Sequence, residues 1–203
     1  MKWIRGLDLR DENCTSWHLA YRGHVHYTHM VMKINIHPLV SSEVHRLQYL
    51  PFARMETHRR RFALQESGKL IFLVAWWGNL PVAQALLNWQ GGDALGVPPQ
   101  IRPWPEVSSL FVSPSYRRMG IASLLLDASE QIAFQRGYDN IGLCVSVDNQ
   151  SALNLYGRRE YKDAGWEPYL ARGVYAESNG RQRDWEETRI YLLKPLVLDR
   201  VLV

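Results

Sequence analysis

Cysteine is scarce in this chain, which has only Cys14 and Cys144 among its 203 residues. Neither stands at the short spacing of a zinc or redox motif, so the two cysteines indicate a reducing compartment. The histidines His24, His26 and His29 cluster near the N-terminus, but they lack cysteine or carboxylate companions at ligand spacing. We therefore expect no metal site.

Long apolar runs are missing as well. The most apolar region, residues 70–87, is interrupted by Gly78, Asn79 and Pro81, which favours two strands and a turn over a membrane span. Residues 1–14 carry charges where a signal peptide needs an apolar segment. These features predict a cytoplasmic protein that has no membrane partner.

The chain also lacks a basic tail. Its net charge of +4 is spread along the sequence, and residues 59–61 are the longest basic run. Nucleic acid is thus a poor first hypothesis for the partner, and a binder that uses the basic second helix is only a weak alternative.

One globular domain accounts for the composition, with 46% hydrophobic and 22% charged residues. We assign residues 1–30 to an arm that packs on this domain, and residues 31–203 to the domain itself. The apolar tail at residues 195–203 could pack on the core or on another subunit, which leaves a homodimer open.

A strand, a turn and a helix follow one another in residues 106–126. β-branched and apolar residues predict a strand at residues 107–112, and a Ser-Pro-Ser turn ends it. Apolar residues then take up helical spacing, so a helix begins between Arg118 and Gly120. Its first turn offers free backbone N–H groups and partial positive charge, to which Arg117 adds. This order of elements predicts a phosphate site.

A second pattern follows at residues 141–147, where bulky apolar residues alternate with small ones. It predicts a strand with one small face, which leaves room for a slender group beside the sheet. Asn149 then caps the next helix, and Asn149, Ala152 and Tyr156 share one face of it.

The remaining elements are predicted from periodicity and turn signals. They are a strand at residues 30–40, helices at 41–50 and 54–66, a hairpin of 70–77 and 80–89, and closing strands at 161–170 and 185–194. The loop at residues 90–105 is rich in glycine and proline, and long loops in compact domains are often functional.

The two patterns together resemble the signatures of the GNAT superfamily of N-acetyltransferases. Arg117-x-x-Gly120-x-Ala122, preceded by Leu110-Phe111-Val112-x-Pro114, is similar to its acyl-CoA signature, and Asn149 with Ala152-x-x-Leu155-Tyr156 is similar to its second signature. The resemblance implies an α/β (α+β) fold with a mixed, mostly antiparallel sheet of about seven strands, flanked by helices and splayed at strands 4 and 5. The chain departs from the family at Glu160-Tyr161, where Gly-Phe or Gly-Tyr is common, and in a longer insertion between the final strands.

The resemblance also implies acetyl-CoA as the cosubstrate. Backbone N–H groups and the arginines at the helix start would bind the pyrophosphate, and the open edge of the preceding strand would pair with the pantetheine amides. The residues assigned to the cosubstrate are Leu110, Phe111, Val112, Arg117, Arg118, Met119, Gly120, Ile121, Ala122, Ser123 and Asn149.

Two side chains are candidates for proton transfer. Tyr156 would protonate the thiolate leaving group, and Glu106 would take a proton from the amine, directly or through water. The alternatives are a tyrosine that only packs under the cosubstrate and a solvated glutamate. The competing carboxylates are Asp163, Glu167 and those of residues 177–187. An acetyl-Cys144 intermediate is a weaker option, because nothing beside this cysteine in the sequence activates a thiolate.

These residues predict an N-acetyltransferase that transfers acetyl from acetyl-CoA to a primary amine by direct attack. A small-molecule amine is the favoured acceptor, and a protein N-terminus or lysine is the alternative. A non-catalytic acyl-CoA-binding sensor module is the alternative of another class. The loop at residues 90–105, the first two helices and residues 171–184 would shape the acceptor pocket.

Overall fold

A computed structural model describes residues 34–91, 104–176 and 182–197. The strands are β1 (Ile34–Pro38), β2 (Leu70–Trp77), β3 (Leu80–Asn88), β4 (Glu106–Val112), β5 (Asn140–Ser146), β6 (Lys162–Asp163), β7 (Tyr169–Ala176) and β8 (Gln182–Pro195). The helices are α1 (Met55–Glu66), α2 (Ile121–Gln135) and α3 (Gln150–Arg158), with 3₁₀ helices at Ser41–Tyr49 and Pro114–Tyr116.

These strands form a single sheet with the order β1-β2-β3-β4-β5-β8-β6, and β7 pairs with β8. The pair β4–β5 is parallel, and the other pairs among the described residues are antiparallel. The predicted mixed, mostly antiparallel sheet is therefore confirmed, with eight strands rather than seven.

The strands β4 and β5 part soon after they meet. Their register has only two positions, Glu106 opposite Gly142 and Val107 opposite Leu143. A bulge in β4 follows, because Ser109 has a φ of 51° and the pairing with β3 shifts at this point. A bulge bends its strand and increases its twist, which accounts for the divergence. The predicted splay between strands 4 and 5 is confirmed.

Helices cover both faces of the sheet. On one face α2 and α3 pack on the central strands in a core that includes Ile121, Leu125 and Leu143. On the other face the first 3₁₀ helix and α1 cover the N-terminal strands, where Leu47 and Phe72 are fully buried. These two layers fix the ends of β4 and α2 on which the candidate site depends.

Several predicted elements differ from the structure. The predicted helix at residues 41–50 is a 3₁₀ helix, and the predicted closing strand at residues 161–170 is wrong. That segment pairs with β8 at Lys162–Asp163 and again from Tyr169, and it is interrupted between them because Gly165 has a φ of 75° and breaks the extended backbone. Strand β7 instead begins at Tyr169 and runs into residues 171–184, which the sequence analysis assigns to the acceptor pocket.

Some predictions fall on residues that the structure does not describe. They are the N-terminal arm with Cys14 and its three histidines, most of the loop at residues 90–105, residues 177–181 and the end of the tail. The division of the chain at residue 30 therefore stays a prediction.

Candidate functional site

The start of α2 has the geometry of an anion site. Gly120 caps the helix with a φ of 80°, which favours glycine, and no side chain caps the first turn. The first backbone N–H groups of an α-helix, here those of Ile121, Ala122 and Ser123, have no partners within the helix. They leave a local positive potential beside the exposed Arg117 and Arg118.

The turn before α2 is tied to the end of β4. Arg117 Nε donates a hydrogen bond to the carbonyl oxygen of Val112 at 3.1 Å. This bond engages one nitrogen of the Arg117 guanidinium within the protein. Arg118 is exposed, and its own backbone has a φ of 63°. Both arginines add positive charge at the helix start, but only the side chain of Arg117 is described as bonded to the end of β4. The half-buried Met119, which stands between Arg118 and Gly120 in the sequence, packs on the core.

The edge of β4 that faces β5 is open beyond Val107. Phe111 and Val112 pair with β3 on the other side, and Leu110 lies between this pairing and the bulge. Backbone groups along an open edge can accept an added strand. This edge leads directly to the N-terminus of α2, so an extended molecule with an anionic end fits both.

Asn149 is placed by its role as a helix cap. Its side-chain oxygen accepts a hydrogen bond from the backbone N–H of Ala152 at 3.1 Å, as the sequence predicts. The side-chain oxygen of Asn149 is therefore engaged within α3, and its NH2 group is the part that could contact a ligand.

Tyr156 lies on the buried face of α3 and is 8% exposed. Burial raises the pKa of its hydroxyl to about 12, which keeps the group protonated at neutral pH. Its ring lies 5.9 Å from that of Tyr161, whose hydroxyl donates to Glu130. Tyr161 thus fills the core beside Tyr156, and the departure from the Gly-Tyr pattern lies at Glu160, which has a φ of 65°.

Glu106 is a buried carboxylate at the point where β4 and β5 part, and it is 3% exposed. Cys144 lies one pleat along from Gly142 on the same face of β5, and its Sγ is 3.7 Å from Oε2 of Glu106. The hydroxyl of Tyr169 donates to the same sulfur at 2.7 Å. Three strands therefore bring their side chains together at the start of the splay.

Aromatic rings stand beside this cluster. Tyr191 lies over Gly142, where a Cβ atom would come within 1.9 Å of the tyrosine oxygen. The ring of Trp166 stacks on Tyr191 at 5.1 Å, and that of Trp104 stacks on Trp166 at 5.8 Å. The predicted room for a slender group at Gly142 is therefore taken by a tyrosine from β8, which is a correction to the prediction.

The cluster around Glu106 was only partly visible in the sequence. Glu106 and Cys144 were candidates, but Tyr169, Tyr191 and Trp166 were not, because long-range strand pairing brings them to the site. The small side chains at positions 142 and 144 were the one local signal, since they indicate that a bulky partner or ligand lies on that face.

The surroundings of Cys144 oppose its use as a nucleophile. Burial, followed by the negative charge of Glu106, raises the pKa of the thiol to about 12. Reactive cysteines need the opposite shift, toward the thiolate. The route through an acetyl-cysteine therefore has no support in the geometry.

The competing carboxylates are more exposed than Glu106. Asp163 and Glu167 lie on the surface, Glu186 pairs with Arg172 at 2.7 Å, and Glu187 pairs with Arg189. Among the described candidates, Glu106 is thus the carboxylate that is both buried and next to the splay.

Two other features are absent from the described part of the chain. No group of three or more histidine, cysteine, aspartate or glutamate residues there could hold a metal ion. No helix within residues 34–91, 104–176 and 182–197 has the length and hydropathy needed to cross a membrane.

Comparison with known sequences gives one family. The sequence model for the acetyltransferase (GNAT) family matches residues 41–161, which is more than half of the chain. Mycothiol acetyltransferases of Clavibacter sepedonicus and Clavibacter michiganensis are 41% identical over 59 residues, or 29% of this chain. That match spans 19% of the length of each curated relative.

Comparison with solved structures agrees with the fold. An N-acetyltransferase from Staphylococcus aureus Mu50 has a TM-score of 0.58 at 15% identity, over 81% of this chain and 99% of the other. The ribosomal-protein-S18-alanine N-acetyltransferase of Escherichia coli has a TM-score of 0.55 at 19% identity, over 81% and 95%. The PaiA N-acetyltransferase of Thermoplasma acidophilum, in complex with coenzyme A, has a TM-score of 0.52 at 16% identity, over 81% and 99%. At these identities the likeness concerns the fold alone.

Proposed function

The chain belongs to the acetyltransferase (GNAT) family, and from this premise we propose that it transfers acetyl from acetyl-CoA to a primary amine by direct attack. The observation that carries the proposal is the parting of β4 and β5 at Glu106, with an open strand edge on one side and the bare N-terminus of α2 at its end. A candidate base, an open strand edge and an anion site then follow one another along β4 and into α2.

The cosubstrate fits the residues at this splay. The backbone N–H groups from Ile121 to Ser123, with Arg117 and Arg118, would bind the pyrophosphate. The glycine at the helix cap allows close approach, because a side chain there would crowd both the backbone and the ligand. The open edge at Leu110, Phe111 and Val112 would pair with the pantetheine amides, and the amide of Asn149 would add one polar contact.

Glu106 and Tyr156 would then handle the protons. The amine nitrogen attacks the thioester carbonyl carbon and loses a proton to the Glu106 carboxylate, directly or through one water. The carbon–sulfur bond breaks, and the sulfur takes the hydroxyl proton of Tyr156. Because the pKa of Tyr156 is about 12 and that of an ordinary thiol is about 8.5, this transfer requires that the leaving sulfur is also shielded from water. Exchange with solvent then removes the proton from Glu106 and returns one to Tyr156.

The aromatic stack beside Glu106 supports a choice of acceptor class. Trp104, Trp166 and Tyr191 form an apolar aromatic stack near a carboxylate, which suits an amine carried on a flat or apolar body. We therefore favour a small aromatic or apolar amine. A protein N-terminus with an apolar first residue is the second candidate, and a lysine side chain offers less for the rings to contact.

Calorimetry with acetyl-CoA tests the proposal first. We expect saturable micromolar binding that the Arg117→Ala/Gly120→Glu double variant lacks, because the new carboxylate repels the pyrophosphate at the helix start. Thiol release is then measured with tryptamine, phenethylamine, spermidine and an Ala-initiated peptide.

The outcomes separate the candidate functions. Turnover with tryptamine or phenethylamine supports the favoured acceptor, and turnover with the peptide alone supports the protein acceptor. Acetyl-CoA binding without turnover of any amine favours the non-catalytic sensor module. Failure of the unmodified protein to bind acetyl-CoA would overturn the proposal.

A further inference from the structure

We propose that Gln84 and Arg61 are positioning residues, which hold Ser109 of β4 in its left-handed conformation and so fix where the open edge of β4 begins. The inference rests on the proposed function for its catalytic consequence. The contacts that hold Ser109 belong to the folded chain and do not depend on the reaction.

Ser109 needs such contacts because its conformation is unfavourable for serine. Its φ of 51° lies in the left-handed region, where the Cβ atom of an L-residue crowds the backbone. The pairing of β3 and β4 changes register at this residue, since Leu86 is opposite Ser108 whereas Gln84 is opposite Phe111. Two residues of β4 therefore stand against one residue of β3, which is the pattern of a bulge.

Gln84 reaches the backbone of the bulge from β3. Its side chain is fully buried, and its Nε2 donates a hydrogen bond to the carbonyl oxygen of Ser109 at 3.3 Å. Among the described residues, its Oε1 has no hydrogen-bond partner. A buried amide with one unpaired atom costs free energy, so the stability of the sheet does not by itself explain a glutamine at this position.

Arg61 reaches the side chain of the same serine from α1. Its Nη2 donates to Oγ of Ser109 at 3.1 Å, and its guanidinium lies over the ring of Phe52, 5.1 Å from the centroid. Phe52 in turn packs against Phe111 of β4, with the rings 4.8 Å apart. Burial, followed by the positive charge of Arg60, lowers the pKa of Arg61 to about 10, so the guanidinium stays charged at neutral pH. A charged donor is therefore held against the bulge by contacts of its own.

Both contacts depend on the left-handed conformation of Ser109. Its carbonyl and its hydroxyl are held by two different elements, β3 and α1. Rotation to an extended φ would turn the carbonyl and the side chain to new directions, so both hydrogen bonds would break. The two bonds therefore offset the strain of a left-handed serine.

The held carbonyl also sets the direction of the next N–H group. A trans peptide unit places its carbonyl and its N–H on opposite sides, and the described chain has no cis peptide bond. The N–H of Leu110 is therefore directed away from the Gln84 amide. Leu110 lies at the start of the edge that the proposed function gives to the pantetheine arm, so the two contacts control which donor the cosubstrate meets there.

The bulge lies at the reacting end of the proposed site. Glu106 stands just before the bulge in β4, whereas the helix start that would bind the pyrophosphate follows the far end of the strand. A displaced bulge should therefore disturb the transfer step more than the affinity for acetyl-CoA.

Nuclear magnetic resonance of the full chain, without acetyl-CoA or an amine, tests whether the contacts hold Ser109. The carbon-13 shifts of its Cα and Cβ atoms depend on φ and ψ, so they distinguish a left-handed serine from an extended one. We expect these signals to move toward extended values in Gln84→Met, which keeps the size of the side chain but has no donor. They should move further in the Gln84→Met/Arg61→Met double variant, and Arg61→Lys, which retains a donor, should move them less than Arg61→Met.

Gln65→Met is the matched control. Gln65 also links α1 to the sheet, but its hydrogen bonds go to the carbonyl of Leu39 and the N–H of Phe72. The Ser109 signals should stay in place in this variant. Unmoved signals in Gln84→Met, or equal movement in Gln65→Met, would overturn the inference. Circular dichroism confirms that each variant is folded.

Turnover tests the consequence for the reaction. With the best amine of the panel, we expect Gln84→Met to lower kcat roughly tenfold and to change the dissociation constant of acetyl-CoA by less than about threefold. Adding Ser109→Gly to Gln84→Met should restore most of the kcat, because glycine takes a positive φ without strain and needs no contact to hold it. A loss of kcat that the glycine does not recover would mean that Gln84 acts by another route, and the positioning role would be wrong.

The two proposals fail in different ways. If the unmodified protein binds acetyl-CoA but turns over no amine, the proposed function fails, and the Ser109 signals alone decide whether Gln84 and Arg61 hold the bulge. If kcat is unchanged in Gln84→Met although the signals move, the positioning role fails while the proposed function stands.

Discussion

Tyr156 and Tyr161 are neighbouring buried tyrosines with different surroundings. The hydroxyl of Tyr161 donates to Oε1 of Glu130 at 3.1 Å, and Lys194 holds the other oxygen of that carboxylate. Burial raises the pKa of Tyr156 to about 12. The Tyr161 hydroxyl therefore has a structural partner, whereas our proposal gives the Tyr156 hydroxyl a chemical task.

Replacing Tyr156 by phenylalanine tests that task. We expect Tyr156→Phe to lower kcat by about a hundredfold or more, because general acids contribute on this scale, while acetyl-CoA affinity stays unchanged. Steady-state thiol release and calorimetry measure the two quantities.

Tyr161→Phe is the matched control for Tyr156→Phe. It removes a hydroxyl from the same part of the core, so it should cost about 1–2 kcal/mol of unfolding free energy and leave kcat within a fewfold. Equal losses of kcat in the two variants would show that Tyr156 acts through packing.

At the scale of the element, local signals predicted α2 and α3 well. Gly120 at the helix cap and Asn149 as a capping side chain are short-range features, and the helices begin where these residues place them. The predicted closing strand at residues 185–194 lies within β8, but the one at residues 161–170 is wrong, because β6 and β7 take their bounds from pairing with β8. The anion end of the site could thus be predicted from the sequence, whereas most of the groups around Glu106 could not.

The close approach of β5 and β8 at Gly142 gives a prediction about stability. A methyl group on this residue would overlap the ring of Tyr191, so the strands or the tyrosine must move. We expect Gly142→Ala to lower the unfolding free energy by about 1–3 kcal/mol, as is usual for overpacking, and to weaken the contacts around Glu106. Urea denaturation monitored by circular dichroism measures the change.

Gly157→Ala provides the comparison for Gly142→Ala. Gly157 lies in α3, and nothing stands within 4 Å of the Cβ position. The same substitution there should stabilise the protein by up to about 1 kcal/mol, because alanine is the better helix former. Destabilisation of similar size at both positions would argue against a steric cause at Gly142.

On the scale of the whole molecule, the candidate site depends on the attachment of the N-terminal layer to the sheet. Arg61 of α1 donates to Oγ of Ser109 at the bulge of β4, at 3.1 Å. The bulge lies between the part of β4 that pairs with β5 and the part whose edge toward β5 is open. The packing of α1 on the sheet therefore helps to keep β4 and β5 apart beyond this point. His58 lies on the same helix and is fully buried against Phe72, with the rings 6.1 Å apart.

His58 should make the stability of this assembly depend on pH. Burial, followed by the positive charge of Arg61, lowers the pKa of His58 from 6.5 to about 4. The unfolded chain therefore binds a proton below pH 6.5 that the folded chain does not bind until about pH 4. Stability is fully present above pH 6.5 and is lost as the pH falls through that window, by about 2 kcal/mol between pH 7.5 and pH 5.

Urea denaturation at the two pH values measures this loss in the unmodified protein, in His58→Leu and in His45→Gln. The leucine variant should lose about 2 kcal/mol less than the unmodified protein on going to pH 5, whatever its stability at pH 7.5, because it has no group to protonate at that position. The exposed His45 should leave the dependence unchanged when replaced. An equal loss in all three proteins would mean that carboxylates alone set the acid sensitivity, and that α1 docks on the sheet without a buried neutral histidine.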